Sequence, residues 1–388
     1  MKTHKILIVL LAVVMTAAGC VKPGRSVVFR AVTGIPQTRT SYSGIDEEGN
    51  AVGASSGYER INWSDGDWIG IYCAQATRAN GVTSLLADYS VLSHTASSNR
   101  VSSAEIGPAG DPNGLLWGSG EHKFYALYPS PNSPVFTDTE QEKVSLGATS
   151  FSGFIPSSQT LTQKGETATW LPQMQYAWLF ARTVVSSPQS AVNLSFDPKY
   201  TAIEFTVDTG DNTRVDLSSF SIKTSASGRA LAGDFTIPVE SAETESSFTY
   251  SNTSQTITMD FTTLPGGKLT VQQGKPLTFT VLLLPRELKN LTITFTSDQF
   301  GTKKLALDDG AGNTLVFPGR RKYRIFNVRF PYLMTATGED LIWDHAASGE
   351  GVIWSENAAG ERIAWYDNGH GGNVNWGDGS GGGDLIWD

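Results

Sequence analysis

The feature that most constrains this chain is its series of short apolar runs, which alternate with polar residues and end at Gly, Asp, Asn or Ser. This period is typical of β-strands, because successive side chains of a strand point to opposite faces of the sheet. No long stripe with helical spacing occurs between residues 26 and 332. The pattern predicts an all-β fold of antiparallel β-sandwiches. Clear strand patterns lie at residues 68–72, 123–128, 202–207, 277–282 and 323–328.

A polar segment that contains a proline, residues 184–190, interrupts the strand patterns near the middle of the 388-residue chain. At about 150 residues per domain, a chain of this length holds two or three domains. We therefore predict four regions. They are a signal peptide at 1–19, an N-terminal β-sandwich at 20–185, a C-terminal β-sandwich at 186–334 and a repeat array at 338–388.

The N-terminus has the features of an export signal. Lys2 and Lys5 precede an apolar run at residues 6–18, which is too short for a transmembrane helix and suits a secretory signal peptide. The run ends in Ala-Ala-Gly-Cys, which resembles a bacterial lipobox with Cys20 as the acylated residue. Ordinary signal cleavage beside a chance cysteine is the alternative. Lipid on Cys20 leaves Cys73 as the one other thiol, so we expect no intramolecular disulfide.

The last fifty residues carry a repeat. Five tryptophans follow one another at intervals of 11 residues, and an aliphatic residue stands two positions before each of them. A fixed period of this kind predicts a repeated structural unit, here one short β-strand and one Gly-rich turn. A meander, a solenoid and a flexible tail all remain open. The five residues are Trp343, Trp354, Trp365, Trp376 and Trp387.

Four functions for this Trp array are compatible with its residues. It can form a packing ladder against a neighbouring sheet, or stack on sugar rings as a ligand-binding surface. Its apolar strands can also add to the open sheet edge of another subunit. Calcium binding is weaker, because no complete calcium-binding loop is present.

Charge is distributed unevenly along the chain. Without the two lysines of the signal peptide, 27 basic and 38 acidic residues remain. Residues 338–388 contain ten of the acids and one arginine, so the body between is nearly neutral. The sequence pI of about 5.1 argues against nucleic acid as a partner, because such a partner requires a basic surface.

No catalytic pattern has its required context. Residues 53–57 match G-x-S-x-G in letters, but a nucleophile elbow needs a strand before it and a helix after it. The five histidines show no metal-ligand spacing, and no phosphate-binding or dinucleotide-binding fingerprint occurs. We therefore expect no enzyme activity, no cofactor and no metal.

Four motifs stand in a fixed order along the chain: Thr-Arg-Thr at 38–40, the strand pattern at 61–72, Leu-Leu-Leu-Pro at 282–285 and the segment 317–323 before the last strand. Together these motifs resemble the fimbrillin-like proteins of Bacteroidetes. The resemblance covers about residues 26–332. It implies two transthyretin-like β-sandwich domains in a lipid-anchored pilus subunit or a relative of one.

In that family the lipoprotein precursor is cut after an arginine. The cut releases the first strand, and the vacated groove accepts a strand from a neighbouring subunit. Here the first strand would span residues 26–32, and Arg39 and Arg30 are the candidate cleavage sites. For either arginine, a surface residue without this role is the alternative.

Together these features predict an accessory, anchor or tip subunit that acts in adhesion at the outer membrane or in a fimbrium. Its partners would be other pilus subunits or further copies of itself, joined by strand addition, and the membrane through the N-terminal lipid. The alternative is an outer-membrane surface lipoprotein that binds host or dietary glycans through the Trp array.

Overall fold

The computed structural model describes fourteen segments of the chain, and β-strands dominate them. These are residues 25–33, 63–79, 82–92, 100–101, 103–110, 114–163, 169–209, 214–307, 316–320, 322–330, 351–356, 362–367, 374–376 and 385–387. Within them the one α-helix, α1, is a single turn at Asp138–Gln141. Short 3₁₀ helices occur at Met174–Tyr176, Val239–Ser241, Glu245–Ser247 and Phe261–Thr263. The predicted all-β class is confirmed.

Fourteen described strands lie between residues 25 and 198. They are β1 (Phe29–Thr33), β2 (Trp63–Ser64), β3 (Trp68–Tyr72), β4 (Leu86–Val91), β5 (Arg100–Val101), β6 (Ser103–Pro108), β7 (His122–Tyr128), β8 (Ser145–Leu146), β9 (Ser150–Ile155), β10 (Ser158–Gln159), β11 (Leu161–Gln163), β12 (Thr169–Pro172), β13 (Leu179–Val185) and β14 (Val192–Pro198).

Twelve more strands complete the body, and four lie in the Trp array. The body strands are β15 (Thr201–Asp208), β16 (Arg214–Thr224), β17 (Ala232–Pro238), β18 (Thr249–Ser254), β19 (Thr256–Asp260), β20 (Leu269–Gln272), β21 (Leu277–Leu283), β22 (Leu288–Lys289), β23 (Leu291–Ser297), β24 (Gly301–Leu307), β25 (Val316–Phe317) and β26 (Lys322–Arg329). Those of the array are β27 (Gly351–Glu356), β28 (Arg362–Asp367), β29 (Val374–Trp376) and β30 (Leu385–Trp387).

The first core lies inside a closed barrel of seven strands. Their order is β1, β14, β13, β7, β3, β4 and β6, and β6 pairs with β1 again. The sequence predicted a two-sheet sandwich at this place. The strands close into a barrel because β1 pairs along both of its edges, which leaves no free edge between β6 and β14.

The second core lies between two larger sheets. One has the order β11, β12, β21, β15, β26, and the other has the order β10, β19, β16, β23, β24, with β20 also paired to β16. Phenylalanine rings join the two faces: Phe220 lies 5.1 Å from Phe205 and 5.0 Å from Phe279 between ring centroids. A third sheet, β18, β17, β9, β8, packs on the same core.

Strand pairing crosses the predicted domain boundary at residue 186 in both directions. Strand β14 follows the boundary, yet its residues Val192, Leu194 and Phe196 are buried in the barrel core. Strands β9, β10 and β12 precede it, yet they pair with β17, β19 and β21 of the second core. The two cores are therefore interleaved along the chain, and the limits 20–185 and 186–334 remain a prediction about folding units.

The barrel and the two larger sheets are mixed, whereas the sequence predicted antiparallel ones. Four strand pairs are parallel: β1 with β14, β10 with β19, β12 with β21, and β15 with β26. Parallel neighbours require long connections between them. The connections from β1 to β14, from β10 to β19 and from β12 to β21 pass through strands of the other core, whereas the connection from β15 to β26 does not enter the barrel.

The four strands of the Trp array form an antiparallel sheet in chain order. Trp365 is paired with Trp376, but Trp354 is paired with Ala364, and Ile353 is the residue opposite Trp365. In the pair formed by β27 and β28, the strands are therefore shifted by one residue from the register that would place Trp354 opposite Trp365. Trp343 lies outside the described residues.

Candidate functional site

Strand β1 is paired on both sides along almost its whole length. Phe29 to Val32 pair antiparallel with β6, and Phe29 to Thr33 pair parallel with β14. The backbone N–H of Val27 donates to Leu115 O at 2.9 Å, and the N–H of Trp117 donates to Arg25 O at 2.8 Å. The segment from residue 25 to residue 33 therefore closes the barrel as one continuous element.

The side chains of β1 alternate between the core and the solvent. Val27, Phe29 and Ala31 are buried in the barrel core, whereas Val28 is 49% exposed. The ring of Phe29 lies 5.1 Å from the ring of Tyr89 and also 5.1 Å from that of Phe124, edge-on to both. Such contacts add to the free energy of burial, so Phe29 is the main anchor of the strand.

The neighbours of β1 differ in size along the groove. Phe29 is paired with Ile106 on β6 and with Val192 on β14. Two residues further on, Ala31 is paired with Ala104 and Leu194, and all three are buried. Between β6 and β14, the first of these two buried positions holds an aromatic ring and the second holds a methyl group.

Arg30 lies on the outer face of this strand. Its Nη2 donates to Glu105 Oε1 of β6 at 3.3 Å, and both side chains are exposed. Its backbone is paired with Glu105 on one side and with Asn193 on the other. Thus the peptide bonds at Arg30 lie between two strands, although the guanidinium faces solvent.

A carboxylate joins the barrel to the second core. Glu240, in the 3₁₀ helix Val239–Ser241, accepts hydrogen bonds from Tyr125 Oη at 2.7 Å, Lys123 Nζ at 3.1 Å and Arg182 Nη2 at 2.5 Å. The hydrogen bond from Tyr125, then that from Lys123, and the nearby positive charges lower the pKa of Glu240 to about 2. These contacts fix the outer face of β7 and β13 against the second core.

A second charged cluster lies where the chain passes from β14 to β15. The side chain of Lys199 is 1% exposed, and its Nζ donates to Glu243 Oε1 at 2.5 Å. Arg320 Nη1 donates to Glu243 Oε2 at 2.9 Å, and Arg320 Nη2 donates to Glu243 O at 2.8 Å. Burial lowers the pKa of Lys199 and raises the pKa of Asp197 beside it. The connection between the cores is therefore fixed by a buried cation.

His122 and Cys73, whose side chains have reactive groups, are both buried. His122 is buried; its Nε2 accepts from the N–H of Gly118 at 3.0 Å, and its Nδ1 lies 2.9 Å from Gly120 O. This pattern assigns the neutral tautomer with the proton on Nδ1. Cys73 is fully buried, and burial raises the pKa of its thiol. Within the described segments, no three His, Cys, Asp or Glu side chains are grouped as a metal site would require.

The sequence-predicted site residues divide into three groups. Arg30 lies on β1, as described. Cys20, Arg39, the motif at 53–57 and Trp343 lie outside the described residues. The remaining tryptophans of the array are placed by their backbone alone.

Sequence reasoning missed the contacts of Glu240 and Lys199. Their partners are distant along the chain, so no local pattern marks them. None of the helices in the described segments is long and apolar enough to cross a membrane.

Comparison with known proteins gave one family match. A family model described as fimbrillin-like matches residues 54–326. No curated protein matches the chain by sequence.

Solved structures similar to this chain come from bacteria of the genera Bacteroides and Parabacteroides. A candidate cell-adhesion protein from Bacteroides ovatus has 15% identity and a TM-score of 0.44, with 79% of this chain and 94% of that one covered. A fimbrial protein from Bacteroides vulgatus has 11% identity and a TM-score of 0.37, with 69% and 90% covered. A fimbrial assembly protein from Parabacteroides distasonis has 11% identity and a TM-score of 0.35, with 91% and 99% covered.

Proposed function

Because this chain belongs to the fimbrillin-like family, we propose that it is a pilus subunit of the cell surface that is made as a lipid-anchored precursor and acts in adhesion. It assembles with other subunits by β-strand addition. Acylation at Cys20 attaches the precursor to the outer membrane, since several acyl chains anchor a protein durably. The repeat array beyond β26 distinguishes it from a simple stalk subunit and favours an accessory, anchor or tip position.

The placement of β1 carries this proposal. The strand is the one that closes the barrel between β6 and β14. Its removal would leave two rows of unpaired N–H and C=O groups beside the sites of Phe29 and Ala31. Open edges of this kind bind an added strand through main-chain hydrogen bonds, with apolar sites for alternate side chains.

Arg39 is the proposed cleavage site, and Arg30 is not. A protease requires a free, extended segment, whereas Arg30 is paired on both sides within the barrel. Cleavage there requires prior opening of the structure. Arg39 follows the last residue of β1 by six positions, so a cut after it leaves the whole strand on the released fragment. That fragment also contains Cys20, so a processed subunit loses its own anchor.

Mass spectrometry of the protein from cells tests the processing step. We expect a mature start at residue 40 in assembled material and acylated Cys20 in the precursor. Arg39→Ala should retain residues 20–39 and reduce assembly, and Arg30→Ala is the matched control that should be processed normally. Acylated Cys20 on all molecules, with no start at residue 40, would limit the role to an anchor or permanent lipoprotein. Processing of Arg39→Ala but not of Arg30→Ala would reverse the assignment of the site.

Deletion of residues 338–388 tests the role of the array. A subunit that uses the array in assembly should lose incorporation into fibres. Loss of polysaccharide retention with normal fibre assembly would instead assign the array to glycan binding. Neither the family match nor the described contacts add support for that alternative.

A further inference from the structure

The groove around β1 has a size and charge pattern that selects among strands. Viewed along β1, the inward positions hold an aliphatic side chain at Val27, an aromatic ring at Phe29 and a small side chain at Ala31. The outward position between the last two holds Arg30, which pairs with Glu105 at 3.3 Å. A strand that replaces β1 meets the same four sites.

We propose, on the basis of the strand addition proposed above, that this groove accepts a strand with aliphatic, aromatic and small residues at alternate positions. At the outward position between the aromatic and the small residue, the strand carries a basic side chain that contacts Glu105. The donor is a strand of another subunit with this pattern, and the Trp array of a second copy of this chain is not the donor.

The site of Ala31 is the restrictive one. It is flanked by Ala104 on β6 and Leu194 on β14, and all three side chains are buried. Extra atoms in a close-packed core displace their neighbours. A charged group there would lose its hydration, and no described polar side chain is paired at this position to compensate it.

The units of the Trp array match the first part of the pattern and fail at the second. Each unit has an aliphatic residue two positions before its Trp, as Val27 stands before Phe29. Two positions after the Trp, however, the first four units carry a charged or ionisable side chain instead of a small one. These residues are His345, Glu356, Asp367 and Asp378.

The reverse direction of insertion does not remove the conflict. With the Trp again in the site of Phe29, the aliphatic residue of the unit would enter the site of Ala31 and overpack it. The acidic residue would then enter the buried site of Val27. In either direction each of these four units buries an ionisable group. The residue directly after each Trp is Asp344, Ser355, Tyr366, Gly377 or Asp388, none of which is basic opposite Glu105.

A graft in the full chain tests the selectivity of the groove. Residues 27–31 are replaced by the pentad of residues 363–367, which is V27I/V28A/F29W/R30Y/A31D. The matched variant carries the same first four substitutions and keeps Ala31. We expect the complete graft to unfold at least about 8 °C below the matched variant. If the bulky Trp itself prevents folding of both, A31D and A31S in the native strand make the same comparison, with A31S expected to stay near the parent. Equal midpoints of thermal unfolding for the two compared variants would overturn the proposed selectivity of the groove.

A binding assay tests the donor. The full chain is cut after Arg39 with an arginine-specific protease, and fluorescent peptides are added as replacements for β1. The four peptides are residues 25–34, their A31D version, residues 359–369 and their D367A version. We expect binding of the first and the last, with the A31D and native array peptides weaker by about tenfold or more.

The outcomes separate the two proposals. Equal binding of the native array peptide and the β1 peptide would overturn the choice of donor and leave strand addition intact. Absence of binding by all four peptides, including the β1 sequence itself, would overturn strand addition and this inference with it.

Discussion

Cys73 illustrates how a single residue reports the state of the barrel. It is fully buried, its Sγ donates to Gln75 Oε1 at 3.6 Å, and burial raises the pKa of the thiol. A buried neutral thiol is unreactive, because the thiolate is the nucleophile.

We predict that Cys73 reacts with a maleimide at a rate set by opening of the barrel. In the native full chain, labelling should be slow, and denaturant or displacement of β1 should increase it by orders of magnitude. The measurement is the mass of the labelled peptide after digestion, so Cys20 does not interfere. Rapid labelling of the native chain would contradict the buried position.

Glu240 leads to a prediction about how the free energy of unfolding depends on pH. Its pKa is lowered to about 2 by hydrogen bonds from Tyr125 and Lys123 and by the charges of Lys123 and Arg182. A carboxyl group with a lowered folded pKa stabilises the protein above its unfolded pKa of about 4.3. This contribution is lost as the pH falls from there through about 2.

Glu240→Gln should therefore reduce the free energy of unfolding at pH 7 by about 0.5–1 kcal/mol, a small effect because the group is half exposed. The difference between the variant and the parent should shrink steadily as the pH falls from 5 to 2. Urea unfolding at several pH values measures it, and a difference that is independent of pH would refute the assignment. Tyr125→Phe, which removes one donor alone, is the matched control and should show a smaller pH dependence.

At the scale of elements, β1 combines local pattern and distant pairing. The sequence placed a strand at residues 26–32, and the structure has β1 at Phe29–Thr33 with the pairing extended back to Arg25. The alternation of Val27, Phe29 and Ala31 is local and was predictable. The partners β6 and β14 follow it by about 70 and 160 residues and were not.

We predict that Phe29→Ala lowers the free energy of unfolding by about 3–5 kcal/mol, because a fully buried ring is replaced by a cavity. Val28→Ala on the same strand is the control; Val28 is 49% exposed, so its change should stay within about 0.5 kcal/mol. Chemical denaturation of both variants provides the comparison. Similar losses for the two would mean that β1 does not present this face to the core.

At the scale of the whole molecule, strands β7 and β13 contribute side chains to both cores. Tyr125, Leu127 and Phe180 are on barrel strands, yet their side chains belong to the second core. Phe180 stacks on Phe151 of β9 with 4.5 Å between ring centroids. A force or a loss of packing in one core is therefore transmitted directly to the other.

Lys199 gives a prediction at this scale, because it lies between β14 of the barrel and β15 of the second core. Glu243→Ala removes the partner of a buried ammonium group, so we expect a loss of about 3 kcal/mol in the free energy of unfolding. Lys199→Met removes the buried charge itself and leaves the exposed Glu243 paired with Arg320. We expect this variant to be neutral or more stable. Thermal and urea unfolding compare the two, and the opposite order would exclude a desolvated cation at Lys199.

The sequence alone determined where most strands lie and which of their residues face a core. These properties depend on the period of apolar residues, which acts over a few positions and is written directly in the chain. The motifs at 61–72 and 317–323 likewise led to the family before any pairing was known. Export, acylation and cleavage are predicted by the N-terminal segment alone.

Only the tertiary structure decided which strands pair. The barrel instead of a sandwich, the parallel pair of β1 and β14, and the crossing of residue 186 by both cores all depend on contacts between distant segments. An alternating strand fits many sheet edges equally well. Its partner is selected by the combined burial of both neighbours, as Ala31 between Ala104 and Leu194 shows. That choice is a property of the whole packed molecule, so no single stretch of sequence contains it.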